Sequence, residues 1–434
     1  MKLLIHNGRV VDPLHGVDAV RDLHIVDGLV VAPARDFSAD EIIDASGLIV
    51  CPGLVDLRAR MRDPSPGHKA TFESEGAAAL AGGITTLCCP PDTEPVIDTP
   101  AIAERIRTRS ARTLPAVYPL GALTRGLGGQ QLADLATLDR AGCVGFSNGL
   151  QPLRDAQVQR RAMEYAASFG LTVFLHPEDA ALRGNGVVHE GEISARLGLP
   201  GIPEAAETVA VARDLALVEY TGARVHLCQL TSLRALEMVS EARGRGLPVT
   251  ADTAAHYLHL SERDIGFFDT HCHVRPPLRS LEDRDGLRSA LRDGILSAVC
   301  SDHQPHEPDA KLTAFSHSEP GVSGLETLLA LMMVLVEERQ LSLTAAIATV
   351  TCGPAGLIGI DAGHLGSGAL ADVCLLDPGC RWILTAEGMI SRGRNNPFIG
   401  REFGARVVRT LIAGETVFRL DAAGASYLSS ANTR

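Results

Sequence analysis

The chain has 434 residues, of which 45% are hydrophobic and 21% charged, and its formal net charge is −12. This length is too great for one ordinary domain and suits a barrel of about 250 residues or more with a smaller partner domain. The acidic balance argues against nucleic acid or an anionic membrane as the main partner, and ten scattered cysteines without a signal peptide or spanning apolar run predict a cytoplasmic protein.

Short β-rich segments with turn residues occupy both ends of the chain. The first 50 residues contain LLIHNGRVVD, DLHIVDGLVV and EIIDASGLIV, in which Asn-Gly, Asp-Gly and Ser-Gly are typical of hairpin turns. Similar segments return at residues 371–376, 406–412 and 417–418. We therefore predict one small β-sandwich domain built from residues 1–51 and 365–420. The small, polar residues 421–434 predict a flexible tail.

Between these ends, apolar strand candidates alternate with helices rich in Ala, Leu and Arg. The strand candidates are GLVDLRARMRD, GITTLCCP, PAVYPLGAL, CVGFSNG, LTVFLHP, ARVHLCQL, LPVTADT and LSAVCSDHQPH. Helix candidates lie at residues 101–110, 155–169, 204–220 and 232–244. Repeated strand–helix units, near eight in number, predict an α/β fold with a (β/α)8 TIM-type barrel over residues 52–364.

Polar side chains follow several of these strand candidates, where a barrel places its reactive groups. They are His176, His226, His256, Asp302, His303 and His306. A single histidine at the end of an apolar strand is more often a hydrogen-bonded structural residue. Three histidines in barrel order, followed by Ser-Asp-His, instead favour a site for a divalent metal such as zinc, because imidazoles and a carboxylate converge on one face.

Many ordered motifs in the chain resemble the dihydroorotase family of the cyclic amidohydrolase superfamily. They are CPGLVDLRARMRDPSPGHKATFESEGAAALAGGITTLCCPPDTEPVID, GFSNG, FLHPED, VVHEGEISARLGLPGIPEAAE, HLCQLTS, AHYLHL, HVRPPLRS, CSDHQPH, GVSGLETLLALMM and NNPFIGREFGARVVRTLIAGETVF. The resemblance covers nearly the whole chain and implies a barrel with a small β-domain. It also implies zinc-dependent, reversible closure of carbamoyl aspartate to dihydroorotate in pyrimidine biosynthesis, with Asp302 as the ancestral proton shuttle.

The chain departs from this family where the metal would bind. Active members end the first barrel strand with His-x-His, and Arg58 and Arg60 occupy these positions here. Both side chains share one face of the strand, yet a guanidinium has no lone pair to offer and stays protonated. The bridging position, an Asp in the relevant subgroup, is Asn148.

What survives of the implied metal set is His176, His226 and Asp302. Two histidines and a carboxylate hold at most one zinc, and two guanidiniums lie beside them. We therefore expect no metal cofactor. We predict instead that Arg58 or Arg60 lies within salt-bridge distance of Asp302 and replaces the cation.

The implied substrate pocket has also changed. The resemblance assigns substrate contacts to Arg62 and His306, which the chain keeps, and to two asparagine positions that hold Asp92 and Arg275 here. A carboxylate at position 92 repels an anionic ligand in a confined pocket. Arg275 is expected either to offset this charge or to pair with Asp92.

Three hypotheses about function follow. The first is a catalytically inactive dihydroorotase-like protein that serves as an assembly subunit, because silent members of the family occur as required subunits of aspartate transcarbamoylase. The second is an active dihydroorotase or related cyclic amidohydrolase that uses one zinc. The third is a module whose arginine-lined pocket binds an anionic metabolite. We expect a homo- or hetero-oligomer that includes the aspartate transcarbamoylase catalytic chain, with no nucleic-acid or membrane partner.

Overall fold

The computed structural model describes residues 1–33, 37–110 and 115–420, and the backbone of residues 426–428. The first part of the chain forms seven short strands in which apolar and polar residues mostly alternate. They are β1 (Lys2–His6), β2 (Arg9–Asp12), β3 (Val17–Val20), β4 (Leu23–Val26), β5 (Leu29–Val31), β6 (Glu41–Asp44) and β7 (Ile49–Pro52).

An eight-stranded parallel barrel follows. Its strands are β8 (Leu54–Asp56), β9 (Ile84–Cys89), β10 (Ala116–Pro119) with β11 (Gly121–Ala122), β12 (Phe146–Ser147), β13 (Thr172–Leu175), β16 (Arg224–Leu227), β17 (Val249–Ala254) and β18 (Ala298–Cys300). Successive strands pair in parallel; β10 pairs with β9 and β11 with β12, so these two share the third position. A bridge between Ala59 and His303 closes the barrel. The ribbon β14 (Val188–His189) and β15 (Gly201–Ile202) stands apart from it.

Helices alternate with the barrel strands, and their capping residues match the sequence pattern. They are α1 (Phe72–Ala81), α2 (Pro100–Ser110), α3 (Leu135–Arg140), α4 (Ala156–Ser168), α5 (Ala180–Arg183), α6 (Glu192–Leu197), α7 (Ala205–Thr221), α8 (Leu233–Gly244), α9 (Leu281–Arg292), α10 (Leu328–Glu337), α11 (Leu343–Ala348) and α12 (Cys352–Ile358). Asp155 and Ser232 cap α4 and α8 with their side chains. Within the described ranges, we find no helix of the length and apolarity that a membrane crossing requires.

Four C-terminal strands join those of the N-terminus in a β-sandwich. They are β19 (Val373–Asp377), β22 (Arg406–Ile412), β23 (Glu415–Leu420) and β24 (Ser426–Leu428), whereas β20 (Trp382–Ile383) and β21 (Glu402–Phe403) pair with each other in a separate ribbon. One sheet has the order β5-β4-β1-β6, and the other has the order β24-β23-β22-β19-β7-β2-β3. Side chains from both sheets, such as Ile5, Val50 and Val373, share one apolar core.

Two details differ from the sequence-based expectations. Asp27 and Gly28 join the paired strands β4 and β5, as predicted, but the Asn-Gly and Ser-Gly turns connect strands of different sheets, so neither forms a hairpin. The predicted tail contains β24, whose backbone pairs with β23 because that strand has a free edge. The rest of the predicted tail, 421–425 and 429–434, lies outside the described residues.

Candidate functional site at the barrel mouth

Arg58 and Arg60 follow β8, and their side chains are buried at the mouth of the barrel. The closing bridge fixes this segment, because Arg60 N donates to His303 O at 2.9 Å and His303 N donates to Arg58 O at 3.1 Å. Alternation turns residues 58 and 60 to the face opposite Ala59. Only 4% of Arg58 and 5% of Arg60 is exposed, so both charges require balance within the protein.

Asp302 supplies part of this balance, and the predicted ion pair is confirmed. Arg58 Nε lies 3.4 Å and Arg60 Nη1 lies 3.5 Å from Asp302 Oδ1. The other carboxylate oxygen accepts from Gln304 Nε2 at 3.0 Å. Burial raises the pKa of Asp302 to about 6, against the opposing effect of the two guanidiniums. Asp302 is therefore mainly ionised at neutral pH, with two arginine charges beside it.

The closest partner of Arg60 is Asp92. The Nη2 and Nε atoms of Arg60 donate to Asp92 Oδ2 at 2.7 and 2.9 Å. Burial alone would raise the pKa of Asp92, but the charges of Arg60 and Arg58 outweigh it and lower that pKa. The alternative that Arg275 pairs with Asp92 is wrong. Arg275 Nε instead donates to Glu178 Oε2 at 3.0 Å. Glu178 lies in the loop after β13, and this loop places its carboxylate beside Arg275.

The two histidines implied as metal ligands lie in different surroundings. His176, which follows β13, has no hydrogen-bond partner on either ring nitrogen within the described part of the chain. Burial, and next the charge of Arg58, lowers the pKa of His176 well below its ordinary value. His226 on β16 has its Nε2 atom 3.1 Å from Asp252 Oδ2.

The residues present do not fit the implied metal. Among the residues that the structure describes, the possible ligands whose donor atoms all lie within 4.8 Å of one another are His226, Cys228 and Asp252. His176 and Asp302 therefore do not converge with His226. Burial raises the pKa of the Cys228 thiol, which disfavours the thiolate that a metal requires. With two buried guanidiniums alongside, this donor set gives no site for a dication.

Asn148 occupies the implied bridging position, but its amide connects two loops. Its Nδ2 atom donates to Leu127 O at 3.2 Å and to Gln151 O at 3.1 Å. Its Oδ1 atom accepts from Thr124 Oγ1 at 2.7 Å. A carboxylate has no N–H and cannot make the first two bonds. The amide therefore stabilises the local fold.

Asn148→Asp is expected to lower the midpoint of urea unfolding. Carboxylate oxygens would face two backbone carbonyls, and the lost bonds with the added repulsion are expected to cost about 2–4 kcal/mol. Asn185→Asp, in an exposed loop, is the matched control and should change stability by less than about 0.5 kcal/mol. Equal stability of the two variants would contradict the structural role of the Asn148 amide.

Arg62 is a half-buried cation that lies beside His306. Its Nε atom donates to Pro305 O at 3.2 Å, and its Nη2 atom lies 3.3 Å from His306 Nε2. Lys69 Nζ lies 3.0 Å from His306 Nδ1, while His306 Nε2 lies 3.1 Å from Pro320 O. Because lysine only donates, Nδ1 accepts and the protonated Nε2 donates to Pro320 O. Arg62 Nη2 is thus not bonded to the imidazole, and burial lowers the pKa of Arg62 to about 10.

Sequence reasoning missed the acidic partners of the histidines. Asp252 on β17 lies against His226, and the sequence signal for it is a carboxylate within an otherwise apolar strand. His303 is held by Glu75, whose Oε2 atom lies 2.7 Å from its Nε2, so it serves the fold rather than the pocket. His256 is buried, its Nε2 atom has no hydrogen-bond partner among the residues that the structure describes, and burial lowers its pKa to about 3.

Comparison with known sequences identifies close relatives over the full length. The family described as dihydro-orotase-like matches residues 47–234. A dihydroorotase-like protein from Pseudomonas aeruginosa is 48% identical over 419 residues, covering 95% of this chain and 99% of that protein. A dihydroorotase from Geobacter sp. strain M21 is 41% identical over 423 residues, covering 96% of this chain and all of that protein.

Solved structures with the same architecture include cyclic amidohydrolases. The L-hydantoinase (dihydropyrimidinase) from Arthrobacter aurescens superimposes with a TM-score of 0.87 at 25% identity and covers 96% of this chain and 95% of its own. The D-hydantoinase from Thermus sp. gives a TM-score of 0.85 at 22% identity, covering 99% and 97%. The predicted fold class, a (β/α)8 barrel with a β-sandwich, is confirmed.

Proposed function

Because the chain belongs to the dihydroorotase-like family of pyrimidine biosynthesis, we propose that it is a catalytically silent member and an assembly subunit of aspartate transcarbamoylase. The observation that carries the first part is the pair of guanidiniums at 3.4 and 3.5 Å from Asp302. They stand where the family's His-x-His ligands belong. The proposal includes a cytoplasmic location, as expected for a biosynthetic complex.

Loss of the metal site explains why catalysis is expected to fail. Activating water at neutral pH requires its pKa to fall from about 15.7 to about 7, which corresponds to ~12 kcal/mol. Arg58 and Arg60 can stabilise negative charge but cannot accept a proton from water. Burial raises the pKa of Asp302 to about 6, so this carboxylate can accept a proton, but a base does not lower the pKa of water as a bound metal does. The described residues of the pocket thus offer no substitute for the metal.

The assembly role is supported by what the chain retains. The described residues form all eight barrel strands and both sheets of the β-sandwich, and the charges of Arg58 and Arg60 are balanced internally by Asp92 and Asp302. An acidic pair left without a cation would destabilise the barrel, so the two arginines preserve the scaffold without metal. Silent members of this family that hold transcarbamoylase together need such a scaffold and no turnover.

Co-expression with a transcarbamoylase catalytic chain from the same source tests the assembly role. A tag on this chain is expected to retain the catalytic chain at a fixed stoichiometry through gel filtration, in buffer containing a chelator. A family member with intact His-x-His from a genome without such a complex serves as the control. Separate elution of the two chains at micromolar concentration would refute the assembly role and leave the catalytic question untouched.

Protein purified without added zinc is expected to contain well under one zinc per chain by elemental analysis. The reason is the electrostatic cost of a dication beside two buried guanidiniums. His176→Ala and His226→Ala should leave the trace content unchanged. Stoichiometric zinc that is lost in either variant would instead support an active enzyme with a single metal.

A second candidate function, binding of an anionic metabolite, is favoured by one observation. Arg62 is half-buried, and no carboxylate among the described residues lies within the 4.0 Å ion-pair limit of its guanidinium. A carboxylate ligand would complete this charge balance.

Dihydroorotate is then expected to raise the melting temperature of the wild type but not that of Arg62→Met. If the melting temperature of neither protein changes, this candidate function is excluded.

A further inference from the structure

Arg58 has hydrogen-bond donors to which the described residues offer no acceptor. Only 4% of Arg58 is exposed, and its Nε and Nη2 atoms have no hydrogen-bond partner within the described ranges. Asp302 Oδ1 lies 3.4 Å from Nε, which makes an ion pair without an aligned hydrogen bond. Buried polar groups of folded proteins nearly always have a partner, in the protein or in a bound molecule. These donors therefore need an acceptor from outside the described residues.

His176 has the same property on the opposite side of the barrel. It is 9% exposed, and neither ring nitrogen has a hydrogen-bond partner in the part of the chain that the structure describes. After burial, the charge that lowers its pKa most is that of Arg58. Arg58 follows the first barrel strand and His176 follows the fifth, so the two face each other across the barrel. Both side chains therefore point toward the barrel axis.

Positive charges outnumber carboxylates around His176. After burial, its pKa is lowered by four guanidiniums, those of Arg58, Arg275, Arg60 and Arg183. Among the described residues, three carboxylates lie within 4.0 Å of these guanidiniums, those of Asp92, Asp302 and Glu178. The buried carboxylate of Asp252 lies against His226 instead. One positive charge is thus left without a carboxylate of its own.

We infer that a small monovalent inorganic anion binds at the barrel axis between Arg58 and His176. The guanidinium of Arg58 donates to it from one side, and an N–H of the His176 ring donates from the other. The anion supplies the missing acceptor and balances the excess positive charge. A water molecule accepts the same hydrogen bonds, but it leaves that charge uncompensated in a buried site. The two arginines in place of His-x-His thus change the ligand of this position from a cation to an anion.

This site is separate from the one considered above for an anionic metabolite. Arg62 is half-buried and lies beside His306, whereas Arg58 is almost fully enclosed. An organic carboxylate fits the more exposed position, and an anion of one or a few atoms fits the enclosed one. Arg62→Met is therefore expected to abolish the response to dihydroorotate and to leave the response to a halide unchanged.

Thermal unfolding of the full chain in sodium chloride and in sodium gluconate, at equal ionic strength, tests this inference. Gluconate is too large for an enclosed site. At about ten times its dissociation constant, chloride is expected to raise the melting temperature of the wild type above that in gluconate by about 2–4 °C, and the difference should saturate. Crystals grown in sodium bromide should show an anomalous difference peak between Arg58 and His176.

Three variants locate the effect. Arg58→Met removes the charge and its donors and should abolish the difference between the two salts. His176→Leu removes one donor and no charge, and it should weaken chloride binding about 5- to 10-fold. Arg234→Met, which breaks an exposed ion pair of α8, is the matched control and should keep the full difference. If Arg58→Met does not fold, His176→Leu and the bromide crystals decide the question.

Each other outcome overturns the inference. Equal melting temperatures of the wild type in the two salts exclude a halide site. Density between Arg58 and His176 without an anomalous signal in bromide assigns a water molecule to this position. A chloride effect that persists undiminished in Arg58→Met and His176→Leu places the anion elsewhere. The inference is independent of the assembly role, because none of these measurements involves the transcarbamoylase chain.

Discussion

Arg60→Met is expected to destabilise the protein by about 3–5 kcal/mol, because the change removes the partner of buried carboxylates. Arg60 donates two bonds to Asp92 and lies 3.5 Å from Asp302. Methionine fills similar volume, but it removes the ion-pair partner of Asp92 and leaves Asp302 with Arg58 alone. Their protonation would relieve part of the effect, so the loss should be smaller at pH 5 than at pH 8.

Urea unfolding of matched variants measures this effect. The double variant Arg60→Met/Asp92→Asn should recover at least about 1 kcal/mol, since it removes the stranded charge together with its partner. Arg234→Met breaks an exposed pair with Glu237, at 2.9 Å, and should cost under about 1 kcal/mol. If Arg60→Met lowers the free energy of unfolding no more than Arg234→Met does, the arginines do not replace the charge of a metal at this site.

The ion pair at Asp302 could be predicted from sequence because two simple rules determine it. Alternation along a strand places residues 58 and 60 on one face, and barrel closure brings the first strand against the last. The observed bridge between Ala59 and His303 is the direct expression of that closure. The helical periodicity of the sequence similarly predicted the ends of four helices to within two residues. They are α2, α4, α7 and α8.

The other partners could not be predicted, because loops determine them. Arg275 pairs with Glu178, and neither residue lies in a regular element. The amide of Asn148 is bonded to carbonyls of two loops whose path no periodic pattern describes. The division of the terminal strands between two sheets could not be predicted for a related reason. Turn residues mark where a strand ends, but they do not specify which strand it pairs with.

The wild-type protein is expected to show no dihydroorotase turnover above background, with or without excess zinc. An ordinary enzyme turns over at about 10 per second, and loss of a ~12 kcal/mol contribution to water activation lowers this below detection. Dihydroorotate hydrolysis followed at alkaline pH, and carbamoyl aspartate cyclisation at acidic pH, both test this. Turnover at an ordinary rate in either direction would refute catalytic silence.

Restoring the family ligands is expected to leave activity absent as well. The variant Arg58→His, Arg60→His, Asn148→Asp provides zinc ligands, yet it removes the cation that balances Asp92 and breaks the loop contacts of Asn148. Asp92 would then repel both the anionic substrate and the attacking hydroxide. Adding Asp92→Asn and Arg275→Asn removes this repulsion and tests whether the pocket, rather than the metal alone, limits the rate. Zinc uptake by the triple variant with full turnover would show that the three ligand positions alone silence the protein, whereas zinc uptake without turnover is the expected result.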